Sequence, residues 1–184
     1  TYDVTIPASN LYTNAPVVNE SKQFPAICND LTISNTAELT INPNKALTVN
    51  GNLDNNGKLS IKSTTIGDGS LIVQGNVSGN TYHIERYFTG HCWHMVSSPI
   101  TNATFKIFLN TWARGFDEST NSWGEYISSQ STPMTVGKGF NIWSNEDAET
   151  RTFVGKINQG TIAFPIQYTN KPDIVALQKV WNFV

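Results

Sequence analysis

The sequence predicts an all-β protein: a short parallel β-helix, or solenoid, followed by an antiparallel β-sandwich or jelly-roll-like domain. Three observations carry this. A phrase Leu-x-Ile/Val recurs at Leu31-Thr32-Ile33, Leu39-Thr40-Ile41, Leu47-Thr48-Val49, Leu59-Ser60-Ile61 and Leu71-Ile72-Val73. Its first residues lie 8, 8, 12 and 12 positions apart with Asn, Gly, Pro, Asp and Ser in the gaps, as expected of short strands coiled around corners. The repeat stops near Tyr82 to Ile84, and from Glu85-Arg86-Tyr87 onward all five Trp residues appear and strand-like segments alternate with turns, the texture of an antiparallel sandwich.

Val4 and Ile6 open the solenoid as a strand that Pro7 stops, and a loop with Pro16 and Pro25 leads to Ile27 and the repeats. Within each phrase the flanking residues share a strand face and the middle one points away. Leu31, Ile33 and their equivalents therefore fill the core, while Thr32, Thr40, Thr48 and Ser60 face outward as a ladder. Asn50-Gly51 and Asn56-Gly57 supply corner residues tolerant of positive φ. The same dipeptides mark two-residue hairpins, so a meander is the competing reading. Spacing and phrase repeat together, which favours the solenoid. Leu47, Leu53, Leu59, Leu71 and Val77 also fit the six-residue grid of a left-handed helix. The paired inward residues and eight-residue steps fit better a right-handed coil of about 20 to 24 residues per turn. Such a coil has about four turns and needs caps at its open ends.

Residues 1–86 form this repeat region and residues 87–184 the second domain. Strands are expected at Trp93 to Ser97, Gly115-Phe116, Trp123 to Ile127, Gly139 to Trp143, Thr152 to Val154, Thr161 to Ile166 and Lys179 to Val184. Phe105 to Leu109 reads as a short helix with Thr104 as its N-cap. The closing Trp181-Asn182-Phe183-Val184 echoes the segment from Trp93 onward, so the second domain is expected to be truncated at its C-terminus.

The formal charge is −2 and the Lys and Arg residues are scattered, which lacks the basic stripe of a nucleic-acid binder. Charged residues make up 14%, against about 25% in an ordinary soluble domain, and Asn, Thr, Ser and Gly replace them. That balance suits an extracellular or cell-surface β protein. No run approaches the roughly 18 to 20 apolar residues of a membrane span. The chain begins at Thr1 without a signal peptide and reads as a processed or excised piece. Cys28 and Cys92 allow one disulfide, which would join the two halves, but do not make a disulfide framework.

Several longer stretches resemble large secreted surface proteins of Bacteroidetes-type bacteria. They include DVTIPA (3–8), AICNDLTI (26–33), AELTINPNKALTVNGNLDNNGKLSI (37–61), GSLIVQGNVSGN (69–80), ERYFTGHCWHMVSSPI (85–100), GFDESTNSW (115–123), GKGFNIW (137–143) and the closing WNFV. The resemblance covers nearly the whole chain. It implies export, often by the type IX route, and attachment to or release from the cell surface. It brings no defined catalytic residues, and the C-terminal sorting domain of such proteins is not in this sequence.

The aromatic set is the strongest binding signal, because Trp and Tyr faces stack on sugar rings and keep a polar edge for hydrogen bonds. Trp123 with Tyr126, or Trp112 with Trp143, would form such a platform; core packing is the competing role for each. Asp117, Ser119 and Asn121 place oxygens at alternate positions, like the first half of a calcium loop. The expected Gly and Glu are replaced by Ser122 and Ser128, and a hairpin turn explains the segment equally well; the loop Asn145 to Glu149 is the other acidic stretch. His91, Cys92 and His94 lack a second ligand pair for zinc and an orienting third group for a nucleophile. A polar turn entering the Trp93 strand is the simpler reading. Glu85, Asp117, Glu118, Glu125, Glu146, Asp147 and Glu149 are carboxylates from which a glycosidase pair would have to be drawn, and most sit in evident turns.

The sequence therefore predicts a non-enzymatic secreted or surface module without a required cofactor. Its solenoid would act as a spacer and its second domain would contact glycans or other surface proteins. A carbohydrate-binding module of a larger degradative enzyme is the alternative, and a polysaccharide-cleaving enzyme is the third.

Overall fold

The computed structural model describes residues 1–19, 26–79, 81–145, 147–166 and 169. They form an all-β protein with two compact units. One comprises residues 1–87 and 150–159, the other residues 88–149 and those described from 160 onward.

The first unit is a parallel β-solenoid. Its first turn contains β1 (Val4–Ile6), β2 (Val17–Val18) and β3 (Ala26–Cys28). The second contains β4 (Leu31–Ile33), β5 (Glu38–Ile41) and β6 (Ala46–Val49). The third contains β7 (Leu53–Asn55), β8 (Lys58–Ile61) and, after the small hairpin β9 (Ser63–Thr64) and β10 (Gly67–Asp68), β11 (Ser70–Val73). β12 (Val77–Ser78) and β13 (Tyr82–Phe88) begin a fourth. The solenoid thus has three turns and a fraction, against the expected four, because the first turn is longer than the expected 20 to 24 residues and the fourth is only begun.

Strands of like position stack in three parallel sheets, β1-β4-β7-β12, β2-β5-β8-β13 and β3-β6-β11. Val4 pairs with Leu31, Leu31 with Leu53 and Leu53 with Val77, steps of 27, 22 and 24 residues. Parallel pairing excludes the hairpin meander.

This arrangement explains the repeat spacing. Leu31, Leu39 and Leu47 lie on β4, β5 and β6, so eight residues make one side and one corner, not one turn. The step to Leu59 passes over β7, where Asn55 stands at the position of the second aliphatic. The step to Leu71 is lengthened by the β9–β10 hairpin. Thr32, Thr40 and Thr48 consequently lie on three different sheets and form no ladder. Ser60, the in-register neighbour of Thr40, is buried rather than solvated.

The flanking residues do fill the core. Leu39 stacks on Leu59 and then Tyr82, Ile41 on Ile61 and then Ile84, and Cys28 on Val49 and then Val73. Ile33, Ile41, Val49, Leu59 and Tyr82 have no accessible surface, and each such aliphatic contributes about 1.5–3 kcal/mol by leaving water. Burial pushes the Tyr82 hydroxyl up to about 12, and that hydroxyl donates to the Ser78 carbonyl at 2.6 Å.

One corner carries a ladder of side-chain acceptors. Asp3 Oδ1 accepts from the Asp30 amide at 3.2 Å, Asp30 Oδ1 from the Asn52 amide at 2.7 Å, and Asn52 Oδ1 from the Asn76 amide at 2.9 Å. Each residue immediately precedes a strand of the β1-β4-β7-β12 sheet. Gly51 and Gly57 were expected to supply positive φ, but neither adopts it. They are needed for space: a Cβ at Gly51 would fall 1.9 Å from Asp30 Oδ1, and one at Gly57 would fall 2.2 Å from the Ala37 carbonyl. Gly79 needs both, with φ at +91° and the Asn55 carbonyl 1.9 Å from a built Cβ.

The second unit holds one antiparallel sheet in the order β14-β17-β15-β16, from β14 (Trp93–Ser97), β15 (Trp112–Asp117), β16 (Ser122–Trp123) and β17 (Gly139–Trp143). The expected helix is one turn of 3-10 helix, Phe105–Phe108, with Thr104 Oγ1 accepting from the Lys106 amide. β18 (Glu149–Gly155) joins the free edge of β13, so the expected strand at Thr152 to Val154 belongs to a sheet of the first unit. Residues Thr161 to Ile166 are not a strand, and Lys179 to Val184 lies outside the described residues. Cys28 and Cys92 are free thiols. No helix among the described residues is long and apolar enough to cross a membrane.

Two predictions follow from the corners. Gly79→Ala will lower unfolding stability by roughly 1–3 kcal/mol, measured by urea denaturation, whereas Gly160→Ala, in open space, will lose less. The Asn29 side-chain amide and the Asp30 amide hold the Asp3 carboxyl below the usual carboxylate range. Its stabilisation is therefore present above that range and lost as pH falls through the lowered value. Hydrogen exchange at the Asp30 amide, corrected for intrinsic rates, will show protection falling with acid in the native chain and far less in Asp3→Asn, whose amide oxygen accepts at any pH.

Candidate functional site

The antiparallel sheet sorts its residues onto two faces, because alternate side chains on a strand point oppositely. In-register partners share a face. Trp93, Trp143 and Trp112 form one cross-strand row, Met95, Asn141 and Arg114 a second on the same side, and Phe116 with Trp123 continues it. The opposite face carries His94, Ile142 and Ala113, then Val96 and Phe140. Phe105 packs edge-on against Phe140 at 4.9 Å, and Phe88 packs edge-on against both His94 and Phe108. Here the unit has its core.

The other face is an aromatic surface built around one cation. The Arg114 guanidinium lies 4.7 Å from the ring centre of Trp93, 5.2 Å from Trp123 and 5.5 Å from Tyr126. Trp93 meets Trp143 edge-on at 5.5 Å, Phe116 meets Trp123 edge-on at 5.5 Å, and Trp112 meets Tyr126 at 5.9 Å. Trp112 is 54% exposed, Tyr126 52% and Met95 69%, an unusual openness for side chains so apolar. Beneath them Asn141 is buried, and among the described residues neither its Oδ1 nor the buried Arg114 Nε has a hydrogen-bond partner.

All four residues proposed for the platform, Trp112, Trp123, Tyr126 and Trp143, therefore belong to one surface rather than to two alternative pairs. Trp93 and Arg114 were not singled out from the sequence. Period-two alternation from Trp112 would have found Arg114; Trp93 needed the strand pairing. The fifth Trp, Trp181, lies outside the described residues.

The remaining candidates are engaged otherwise. Asp117 Oδ1 accepts from both the amide and the hydroxyl of Ser119, at 2.9 and 2.7 Å, and these bonds hold the carboxyl below its usual range. Asn121 takes φ +53° at the turn between β15 and β16. No group of three or more His, Cys, Asp or Glu placed to hold a metal ion occurs among the described residues. An open cleft of about 740 Å³ is lined in part by Asp117, Glu118, Lys138, Phe140 and Phe164. Its buried Glu118 accepts two 2.7 Å bonds from Thr169. Glu85 is bound by Lys62 at 2.6 Å, and Asp147 lies 3.5 Å from His91; Glu146 lies outside the described residues. Cys92 Sγ stands 3.2 Å from His94 Nε2, closer than its sequence neighbourhood suggested. That nitrogen is also 2.8 Å from the Thr89 carbonyl. A carbonyl only accepts, so Nε2 carries the proton and does not take one from the thiol.

The two faces should respond differently to truncation. Phe140→Ala will cost about 3–5 kcal/mol of unfolding stability as a core truncation. Trp112→Ala, on the open face, will change it by about 1 kcal/mol or less. Denaturant titrations of the two variants check this.

No curated protein and no solved structure matches this chain. A family model described as a domain of unknown function, DUF8693, matches residues 1–184. With the model spanning the whole of it, the chain belongs to the DUF8693 family.

Proposed function

We propose that this chain is a non-enzymatic module of a secreted or cell-surface bacterial protein, in which the solenoid is a spacer and the aromatic face contacts glycans. The observation that carries the reading is that Trp93, Trp112, Trp123 and Trp143 share one sheet face against which Tyr126 packs, with Trp112 and Tyr126 more than half exposed. Indole and phenol rings present flat apolar surface against which the C–H face of a pyranose stacks, while their N–H and O–H edges remain for its hydroxyls. Composition poor in charge and the resemblance to Bacteroidetes-type surface proteins support the location. The finer fold in this reading is a right-handed coil followed by a sandwich. Glycans or other surface proteins are its partners, and no cofactor is required.

The second reading is a carbohydrate-binding module of a larger degradative enzyme, which the same Trp row favours. A polysaccharide-cleaving enzyme is less well supported, since Glu85 and Glu118 are already taken up by hydrogen bonds within the fold. A glycan array tests the proposal. Binding that falls at least tenfold in Trp143→Ala or Trp123→Ala, with the fold intact by circular dichroism, supports it. A blank array removes the glycan contact and leaves only the spacer.

A further inference from the structure

We infer that the aromatic face selects acidic sugars, with Arg114 gripping the carboxylate of a uronate residue. This rests on the glycan-contact reading above and narrows it to one class of ligand.

Among the described residues in these strand rows Arg114 is the charged one: its row partners are Met95 and Asn141, and the neighbouring row is three Trp residues. None of the ion pairs among the described residues includes it. Glu118 is taken up by Thr169, and Asp117 by Ser119. The three rings around the guanidinium orient it and strip part of its hydration, but they do not neutralise it. A cation held this way favours an anion that meets it with two parallel N–H bonds, and a carboxylate has that geometry. Arg114 Nε is buried and makes no hydrogen bond among the described residues, so in this proposal the carboxylate is met by the two terminal amino groups.

The spacing fits a sugar acid. Trp112 precedes Arg114 by two positions on β15, about 7 Å along the strand, and Tyr126 lies within 6 Å of both side chains. A pyranose stacked on Trp112 and Tyr126 thus brings its C6 carboxylate to the guanidinium. A neutral hexose gains the same stacking but leaves the charge unmatched.

Titration calorimetry of the chain with oligogalacturonate and oligomannuronate, each against its fully methyl-esterified form, tests this. Esterification removes the charge and keeps the ring. The expected result is at least tenfold tighter binding of the free acids, and a preference that disappears in Arg114→Gln while ester binding survives. Equal binding of acid and ester, or binding of neutral glycans alone, overturns the role of Arg114 and leaves glycan contact standing. An acid preference that persists in Arg114→Gln also overturns it, by placing the charge recognition elsewhere. No binding to any glycan overturns both readings. If Arg114→Gln does not fold, the acid-to-ester ratio of the native chain and of Arg114→Lys decides: the Lys variant should retain a weaker preference because it keeps the charge and loses the two-pronged grip.

Discussion

At the corners before β1, β4 and β7, a side-chain oxygen accepts the main-chain amide one turn further on. The rest of the solenoid depends on this link. In a coil with steps of 27, 22 and 24 residues, sides of unequal length must still deliver Leu31, Leu53 and Val77 to the same stack. A slip of one residue would turn each aliphatic outward and each polar residue inward. The Asp3-Asp30-Asn52-Asn76 ladder sets the starting point of each turn, so length differences are absorbed in the loops and the β9–β10 hairpin. The tight corner beside it requires Gly51 because Asp30 Oδ1 occupies the place of a Cβ.

The second unit uses sheet periodicity to opposite ends on its two faces. One face is closed by Phe88, which meets His94 and Phe108 edge-on, and by Phe105, which meets Phe140 edge-on. The other gathers the largest aromatic side chains around Arg114 and leaves Trp112, Tyr126 and Met95 exposed. A sheet that buried both faces would have no reason to hold a guanidinium between three rings. The cation raises the cost of covering this face with apolar protein.

Much of the solenoid was legible in the sequence because its signal is local. A strand with two inward aliphatics writes Leu-x-Ile into the chain, and corners write Asn, Gly and Pro. The phrase itself could not show that its eight-residue step is one side of a three-sided turn. That depends on which strands hydrogen-bond, and Thr32, Thr40 and Thr48 separated onto three sheets for this reason. The platform residues were legible as types, since Trp and Tyr are named by composition alone. Their union was not, because Trp93, Trp143 and Trp112 meet only when β14 and β15 flank β17.

The sequence by itself determined the all-β class, the inward and outward parity of the strands that carry the Leu-x-Ile/Val phrase, and the concentration of aromatics beyond Tyr87. These follow from periodicity and composition, which act over a few residues. Only the tertiary structure decided the number of strands per turn, the burial of Ser60, the return of residues 150–159 to the first unit and the gathering of Trp93, Trp123 and Tyr126 around Arg114. Those are consequences of pairing between segments distant in the chain. Hydrogen-bond register, unlike strand propensity, leaves no mark within any one of them.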